Sequence, residues 1–111
     1  MKDYILYIEI LLKNKKIEYI KEYRFCEIRK WRSDFYLPEY KTLIEFEGGI
    51  WKYGRHNRAV TFIKDCKKYN VASLLGFKVL RYTSNNLQDL EKDLDFLIKS
   101  PNLFFLLYTI L

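Results

Sequence analysis

The spacing of apolar residues changes several times along the chain, and each change marks a new element of secondary structure. The first segment carries an apolar face at helical spacing, with Glu9 at the edge of that face. Two further helices are predicted from the same spacing, and four shorter segments have the patterns of strands. The predicted helices are residues 3–14, 60–75 and 86–99, and the predicted strands are 17–25, 33–37, 42–47 and 77–82.

The order of these elements, α-β-β-β-α-β-α, predicts an α/β fold in which helices flank a mixed sheet. The last strand–helix–strand unit has the length of a crossover between parallel strands. In the first strand, alternation puts Tyr19 and Tyr23 on the same side. The last helix is expected to bury one leucine-rich face, formed by Leu87, Leu90, Leu94 and either Leu97 or Ile98.

The length of 111 residues fits one compact domain. Its core is expected over residues 3–83, and a C-terminal helix with an apolar tail occupies 84–111. The tail ends in LFFLLYTIL, which must bury its side chains on the rest of the domain or on another chain. A homodimer formed through this tail is therefore one hypothesis.

The second and third predicted strands form a hairpin that brings carboxylates together. If the turn is centred between Glu39 and Tyr40, Asp34 lies opposite Glu45, and alternation puts Glu47 on the same face. Like charges that face one another destabilise a sheet, so a cation must offset them. Either lysine or arginine side chains form salt bridges there, or a divalent ion such as Mg²⁺ or Mn²⁺ binds.

The net charge favours a polyanionic partner such as DNA. The chain has 20 Lys and Arg against 14 Asp and Glu, a formal charge of +6. Basic and aromatic residues concentrate on both sides of the hairpin, where they can contact phosphates and stack on bases. The expected nucleic-acid-binding residues are Arg29, Lys30, Arg32, Trp51, Lys52, Arg55 and Arg58.

Cys26 and Cys66 are expected to be buried, reduced thiols, since they form neither a disulfide framework nor a zinc pattern. Asn70 falls on the same helical face as Cys66, so a buried amide is expected there. Gly76 is suited to the C-terminus of that helix. The first residues lack the features of a signal peptide, and the apolar tail is too short to cross a membrane. These features predict a cytoplasmic protein with no membrane partner.

The pairing of Asp34 with Glu45, in this order of elements, resembles the PD-(D/E)XK nuclease superfamily. The run RFCEIRKWRSDFYLPEYKTLIEFEGGIWKYGRHNRAVTFIKDCKKYNVASLLGFKVLRYT, residues 24–83, is similar more narrowly to small phage-type and prophage-type endonucleases. These are related to the very-short-patch-repair-like endonucleases. The resemblance implies a restriction-endonuclease-like core and a metal-dependent endonuclease that hydrolyses DNA phosphodiester bonds with Mg²⁺ or Mn²⁺.

The resemblance also implies a set of metal ligands. Asp34 corresponds to the metal-binding aspartate and Glu45 to the following acid of the signature. The backbone carbonyl of Phe46 adds a further ligand in such sites. Glu9 matches, by its place on the first helix, an outlying acid that some members have.

The position of the signature lysine is occupied by Glu47, so the cationic role falls to another residue. Lys64, in the stretch FIKDC, is the leading substitute, and His56, in GRHNR, is the second candidate. Glu47 itself is expected to accept a proton from the attacking water or to bind a second metal ion.

Two other functions fit the same sequence. The first is a catalytically inactive nucleic-acid-binding module on the same fold, which the missing signature lysine allows. The second is a phage accessory protein that docks on a partner through its apolar tail. The presence of both Asp34 and Glu45 favours the enzyme.

Overall fold

The structure is a computed structural model, and it describes residues 2–47 and 55–99. It contains three α-helices, four strands and two short 3₁₀ helices, at Pro38–Tyr40 and Leu87–Asp89. The main elements are α1 (Lys2–Asn14), β1 (Ile20–Arg24), β2 (Arg32–Leu37), β3 (Thr42–Phe46), α2 (Arg55–Leu74), β4 (Lys78–Tyr82) and α3 (Leu90–Ile98).

The four strands form one sheet in the order β1-β2-β3-β4. The pairs β1–β2 and β2–β3 are antiparallel, and β4 runs parallel to β3. The connection from β3 to β4 includes α2, as a parallel pair requires. The predicted α/β class, the mixed sheet and the order of the elements are therefore confirmed.

The hairpin between β2 and β3 has the predicted register. Leu37 pairs with Thr42 and Phe35 pairs with Ile44, so the turn is centred between Glu39 and Tyr40. Pro38 begins the turn, because its fixed φ suits the first position of a 3₁₀ helix. Lys41 ends it in the left-handed region, with φ at 49°. This register places the side chains of Asp34 and Glu45 on the same face of the sheet.

Each face of the sheet has its own hydrophobic core. Phe35 and Ile44 lie on the face covered by α1 and α3, where they are fully buried with Ile8 and Leu12. Each such side chain contributes roughly 2 kcal/mol by leaving water. The inward leucines predicted for the last helix are buried in this core, namely Leu87, Leu90, Leu94 and Leu97.

The opposite face has a smaller core, formed where α2 crosses the sheet. Leu43 and Ala72 are fully buried there. Phe25 and Cys26 complete the cluster, so the predicted burial of Cys26 is confirmed. The part of this face near the end of β3 is covered by polar side chains of α2 instead.

The first strand departs from the predicted alternation. Glu22 has a left-handed backbone, with φ at 49°. Tyr19 packs edge-on against Phe35, whereas Tyr23 stacks on Tyr36, on the other face. The prediction that Tyr19 and Tyr23 share one side is therefore wrong, since the chain turns over at Glu22.

The second helix ends where it was predicted to end, but the face that it turns towards the sheet differs from the predicted one. Gly76 has φ at 90°, and its amide donates to the carbonyl of Ser73 while the Phe77 amide donates to that of Ala72, a Schellman cap. Cys66 and Asn70 are exposed, so the predicted burial of both is wrong. The outer face of the helix also exposes Phe62, Ile63 and Leu74.

Within the described residues, no helix is long and apolar enough to cross a membrane. The tail over residues 101–111, and with it the predicted homodimer contact, lies outside the described residues.

Candidate active site

Asp34 lies near the start of β2, where the hairpin opens. The last ladder pair of β2 and β3 is Phe35 with Ile44, so the Phe46 amide beyond it needs another acceptor. Asp34 Oδ2 accepts this hydrogen bond, with 2.6 Å from the Phe46 nitrogen. The second carboxylate oxygen of Asp34 has no hydrogen bond from the residues that the structure describes.

Glu45 is buried on β3 beneath α2. Two consecutive residues of α2 contact its carboxylate. Lys68 Nζ donates to Oε1 at 3.1 Å, and the Tyr69 hydroxyl donates to Oε2 at 3.1 Å. Because the Lys68 and Glu45 side chains are only 15% and 11% exposed, this pair is largely removed from solvent.

The environment of Asp34 and Glu45 disfavours the charged form of both carboxylates. Burial raises the pKa of Glu45, the Lys68 ammonium opposes that rise, and the charge of Asp34 adds to it. Burial also raises the pKa of Asp34, while the Phe46 amide and Lys68 oppose the rise. Carboxylates whose charged form is disfavoured by burial and by each other are typical of functional sites.

Glu47 lies on the same side of the sheet but is already paired. Arg81 donates to both of its carboxylate oxygens, through Nε at 2.9 Å and through Nη2. Arg81 is in register with Glu45 on the parallel strand β4, which places its side chain over the same face. Its guanidinium lies 4.0 Å from the centre of the Tyr69 ring, and Asp65 approaches it at 3.7 Å.

Of the two predicted substitutes for the signature lysine, Lys64 is the one whose side chain the structure describes. Lys64 is exposed on α2, and the structure gives it no contact with the acids. Lys68, one helical turn further along, contacts Glu45 instead. The i, i+4 spacing of the two lysines was the only signal for it in the sequence. The side chain of His56 lies outside the described residues.

Glu9 lies across the sheet from these acids. It accepts hydrogen bonds from the Tyr19 hydroxyl at 2.6 Å and from Lys21 Nζ at 3.2 Å. Lys21 pairs with Phe35 in the register of β1 and β2, so it faces α1 and not α2. The structure therefore does not bring Glu9 together with Asp34 and Glu45.

A basic surface borders the open end of the hairpin. Arg29, Lys30 and Arg32 are exposed, and Arg32 lies directly opposite Arg24 in the ladder. Within residues 2–47 and 55–99, no carboxylate lies within 4.0 Å of these four cations. Two facing arginines destabilise a strand pair unless an anion lies between or beside them.

Hydrogen bonds fix the backbone of the loop between β1 and β2, which carries part of this basic surface. Arg24 donates to the backbone carbonyls of Cys26, Glu27 and Arg29, and so fixes the chain between β1 and β2. Trp31 is half-buried against Phe25 in the α2 core. The predicted binding residues Trp51 and Lys52, and the side chains of Arg55 and Arg58, lie outside the described residues.

The donor groups fit a hard divalent cation. Among the described residues, no group of three His, Cys, Asp or Glu side chains is close enough to hold a metal ion. Asp34 and Glu45 offer two adjacent carboxylates, and Mg²⁺ is commonly bound by one or two carboxylates together with water and substrate phosphate. Phe46 contacts Asp34 through its amide, and the role of its carbonyl as a ligand stays a prediction.

Comparison with known proteins gives no match to the chain among family models, curated proteins or solved structures. Its function therefore has to be argued from the geometry and chemistry of this site.

Proposed function

We propose that the protein is an endonuclease of the PD-(D/E)XK type, which hydrolyses DNA phosphodiester bonds with Mg²⁺ or Mn²⁺. The observation that carries the proposal is the pair of carboxylates on adjacent strands, Asp34 and Glu45, facing the ammonium of Lys68. Arg29, Lys30 and Arg32, which have no carboxylate within 4.0 Å among the described residues, border the same end of the sheet.

The rotation of α2 supports a functional role for this pair. The helix exposes Phe62 and Ile63, which are 66% and 68% accessible to solvent, and turns Lys68 and Tyr69 towards the sheet. Burying the apolar flank instead would be worth roughly 2 kcal/mol for each large side chain. This orientation leaves Phe62 and Ile63 exposed and keeps Lys68 and Tyr69 beside the acids.

Asp34 and Glu45 are the residues that would hold the metal ion. When bound, Mg²⁺ or Mn²⁺ lowers the pKa of a water molecule and offsets negative charge on the attacked phosphate. Asp34 is oriented for this by the Phe46 amide, and Glu45 by the Tyr69 hydroxyl. Their oxygens are fixed by the protein before the substrate arrives, as electrostatic preorganisation requires.

Lys68 is the residue that we assign to the cationic role of the missing signature lysine. Its ammonium lies next to Glu45, where it can stabilise the charge that develops on the phosphate. Glu47 is held by both nitrogens of the Arg81 fork, so it is not free to accept a proton while that pair is intact. This pair instead joins the end of β3 to β4, and Arg81 also contacts Tyr69 and Asp65 of α2.

The basic surface supplies the affinity for DNA. Arg32 begins β2 two residues before Asp34, so a phosphate bound there lies close to the acids. Arg29 and Lys30 extend the same surface along the preceding loop. Contacts of this kind attract the DNA backbone without reading its sequence, and they weaken as salt rises.

The decisive experiment is a plasmid-cleavage assay at low salt in EDTA, Mg²⁺ and Mn²⁺. Asp34→Ala and Glu45→Gln are purified alongside the unaltered protein and checked for folding by circular dichroism. Cleavage that needs metal and is lost in both variants is the expected result. Metal-dependent cleavage that survives in Glu45→Gln contradicts the proposal.

A second candidate function is a DNA-binding module on the same fold, without catalysis. The observation in its favour is that Glu45 and Glu47 already have cationic partners, Lys68 and Arg81, and so need no metal ion. This candidate predicts salt-sensitive DNA binding with no cleavage in either metal. A gel-shift assay beside the cleavage assay separates the two functions.

A further inference from the structure

The ammonium of Lys68 lies beside Glu45, one of the two carboxylates of the candidate metal site. Its Nζ is 3.1 Å from Glu45 Oε1, and its side chain is only 15% exposed. The same charge opposes the effect of burial on the pKa of Asp34. One lysine therefore reduces the electrostatic cost of both carboxylates of the candidate metal site.

The neighbouring cations whose side chains the structure describes are engaged elsewhere or face solvent. Arg81 is bound to both oxygens of Glu47, and Lys64 and Lys67 on α2 are exposed. In the part of the chain that the structure describes, Lys68 is the only basic residue in a salt bridge with Glu45. No salt bridge there involves Asp34.

Among the described residues, the charges on this face do not balance. Four carboxylates, of Asp34, Glu45, Glu47 and Asp65, share two cations, Lys68 and Arg81. A divalent ion beside Asp34 and Glu45 supplies more charge than the ammonium does. It also repels that ammonium, because like charges a few ångströms apart in a partly buried site interact strongly.

We infer that Lys68 is the resident counter-ion of the metal site, that a divalent cation displaces it from Glu45, and that the released ammonium then meets the scissile phosphate. The inference rests on the proposed function, since it takes Asp34 and Glu45 as the metal ligands. A lysine suits this exchange because it is a point charge on a flexible stem, with no fixed fork to break. The lysine lowers the affinity of the site for metal, because the cation has to displace it from Glu45 before it can bind.

The test is a calorimetric titration of the full chain with Mn²⁺ alone, after removal of bound metals with chelator. It is carried out at about pH 8, well above the ordinary pKa of a carboxyl group. Lys68→Met should bind Mn²⁺ about tenfold tighter than the unaltered protein, because the competing charge is gone. The matched control is Lys67→Met, which removes the same charge from the next, exposed position and should change the affinity less than about twofold.

A second variant, Lys68→Arg, should change the affinity for Mn²⁺ in the opposite direction. Lys68→Arg keeps the charge but offers Glu45 a planar fork with two donors, which holds a carboxylate more firmly. It should bind Mn²⁺ more weakly than the unaltered protein. This comparison decides the inference even if Lys68→Met fails to fold without metal.

Thermal melting gives a readout that does not depend on cleavage. In EDTA, Lys68→Met should melt at a lower temperature, because Glu45 loses its ammonium partner. Saturating Mn²⁺ should raise its melting temperature by more than it raises that of the unaltered protein, since tighter binding stabilises more. Cleavage by Lys68→Met at saturating Mn²⁺ should still fall about 100-fold, because no ammonium meets the phosphate.

The outcomes separate this inference from the proposed function. Unchanged or weaker Mn²⁺ binding by Lys68→Met, beside normal binding by the unaltered protein, overturns the displacement and leaves the metal site standing. Full cleavage by Lys68→Met overturns the role of the released ammonium. Failure of the unaltered protein and of every variant to bind Mn²⁺ overturns the proposed function itself.

Discussion

Glu9 and Glu45 each accept hydrogen bonds from one tyrosine hydroxyl and one lysine ammonium, but the fold shifts their pKa values in opposite directions. The pKa of Glu9 is lowered, chiefly by its hydrogen bond from the tyrosine. The pKa of Glu45 is raised, chiefly by burial. The partners are Tyr19 and Lys21 for Glu9, and Tyr69 and Lys68 for Glu45.

The surroundings of the two acids explain the difference. Their side chains are 18% and 11% exposed, so the exposed area alone does not separate them. Glu9 lies at the rim of α1, where water reaches its partners, and Lys21 is about half exposed. Glu45 lies on a central strand beneath α2, beside a second carboxylate, Asp34. The surroundings of Glu9 stabilise its negative charge. The surroundings of Glu45 disfavour its negative charge, as is typical of carboxylates in catalytic and metal-binding sites.

The largest expected effect is a difference in DNA cleavage between a variant of Glu45 and a variant of Glu9. Glu45→Gln should reduce metal-dependent plasmid cleavage at least about 100-fold, because it removes a charged metal ligand. Glu9→Gln makes the same chemical change on the other face and should leave the cleavage rate within about threefold. Initial rates of supercoiled plasmid loss in Mn²⁺ measure both. Loss of cleavage in a folded Glu9→Gln variant would mean that the two faces act together.

The next effect compares the two faces by their affinity for DNA. Arg32→Gln, beside the acids, should weaken duplex binding several-fold at low salt and reduce the salt dependence by about one phosphate contact. Lys92→Gln, an exposed position on α3, removes the same charge from the opposite face and should change neither quantity. Fluorescence anisotropy over a range of salt concentrations, in a Glu45→Gln background to prevent cleavage, measures both. Equal losses in the two variants would show that DNA binding is not confined to one face.

The hairpin that carries Asp34 and Glu45 could be predicted from local sequence. Pro38 locates the turn, and strict alternation on both strands then determines which side chains share a face. Local chemistry was sufficient because the hairpin closes over only a few residues. The leucines of α3 were predictable for the same reason, since one apolar stripe settles which side of a helix is buried.

The partners of these acids could not be predicted in this way. Helical periodicity favours burial of Phe62 and Ile63, whereas α2 turns Lys68 inward to meet charges on a strand far away in sequence. The pairing of Arg81 with Glu47 depends on the parallel register of β3 and β4, which no turn specifies. The Lys68–Glu45 and Arg81–Glu47 pairs both join residues that are far apart in sequence, so they become apparent only once the sheet and α2 are assembled.

A smaller effect concerns stability and its dependence on pH. The folded-state pKa of Asp34 is raised above its ordinary value of 3.8, so its ionised form destabilises the folded protein once the pH is above that folded-state value. Asp34→Asn keeps an acceptor for the Phe46 amide and should increase the free energy of unfolding in EDTA at neutral pH. The gain should be about half a kcal/mol, since solvent screens this half-buried group. It should shrink as the pH falls through the folded-state pKa.

Glu9→Gln should show the opposite sign in the same thermal melts. Its lowered pKa means that ionised Glu9 stabilises the folded protein above about pH 4.5. That contribution is lost as the pH falls through the folded-state pKa, so the variant should melt lower at neutral pH and match the unaltered protein in acid. A stabilised Glu9→Gln, or a destabilised Asp34→Asn, would remove the distinction between the two faces.

The smallest effect tests the two tyrosine hydroxyls. The Tyr69 hydroxyl lowers the pKa of Glu45, so Tyr69→Phe should raise it further and move the acid limb of the cleavage rate to higher pH. Tyr19→Phe removes the equivalent hydroxyl from Glu9 and should leave the acid limb in place, because Glu9 does not face the metal ligands. Cleavage rates at subsaturating Mn²⁺, where protons compete with the metal for Glu45, measure both limbs over a series of pH values. An acid limb that moves equally in both variants would mean that it reports general stability and not the ionisation of Glu45. A limb that moves in Tyr69→Phe alone would assign it to the carboxylate beneath α2.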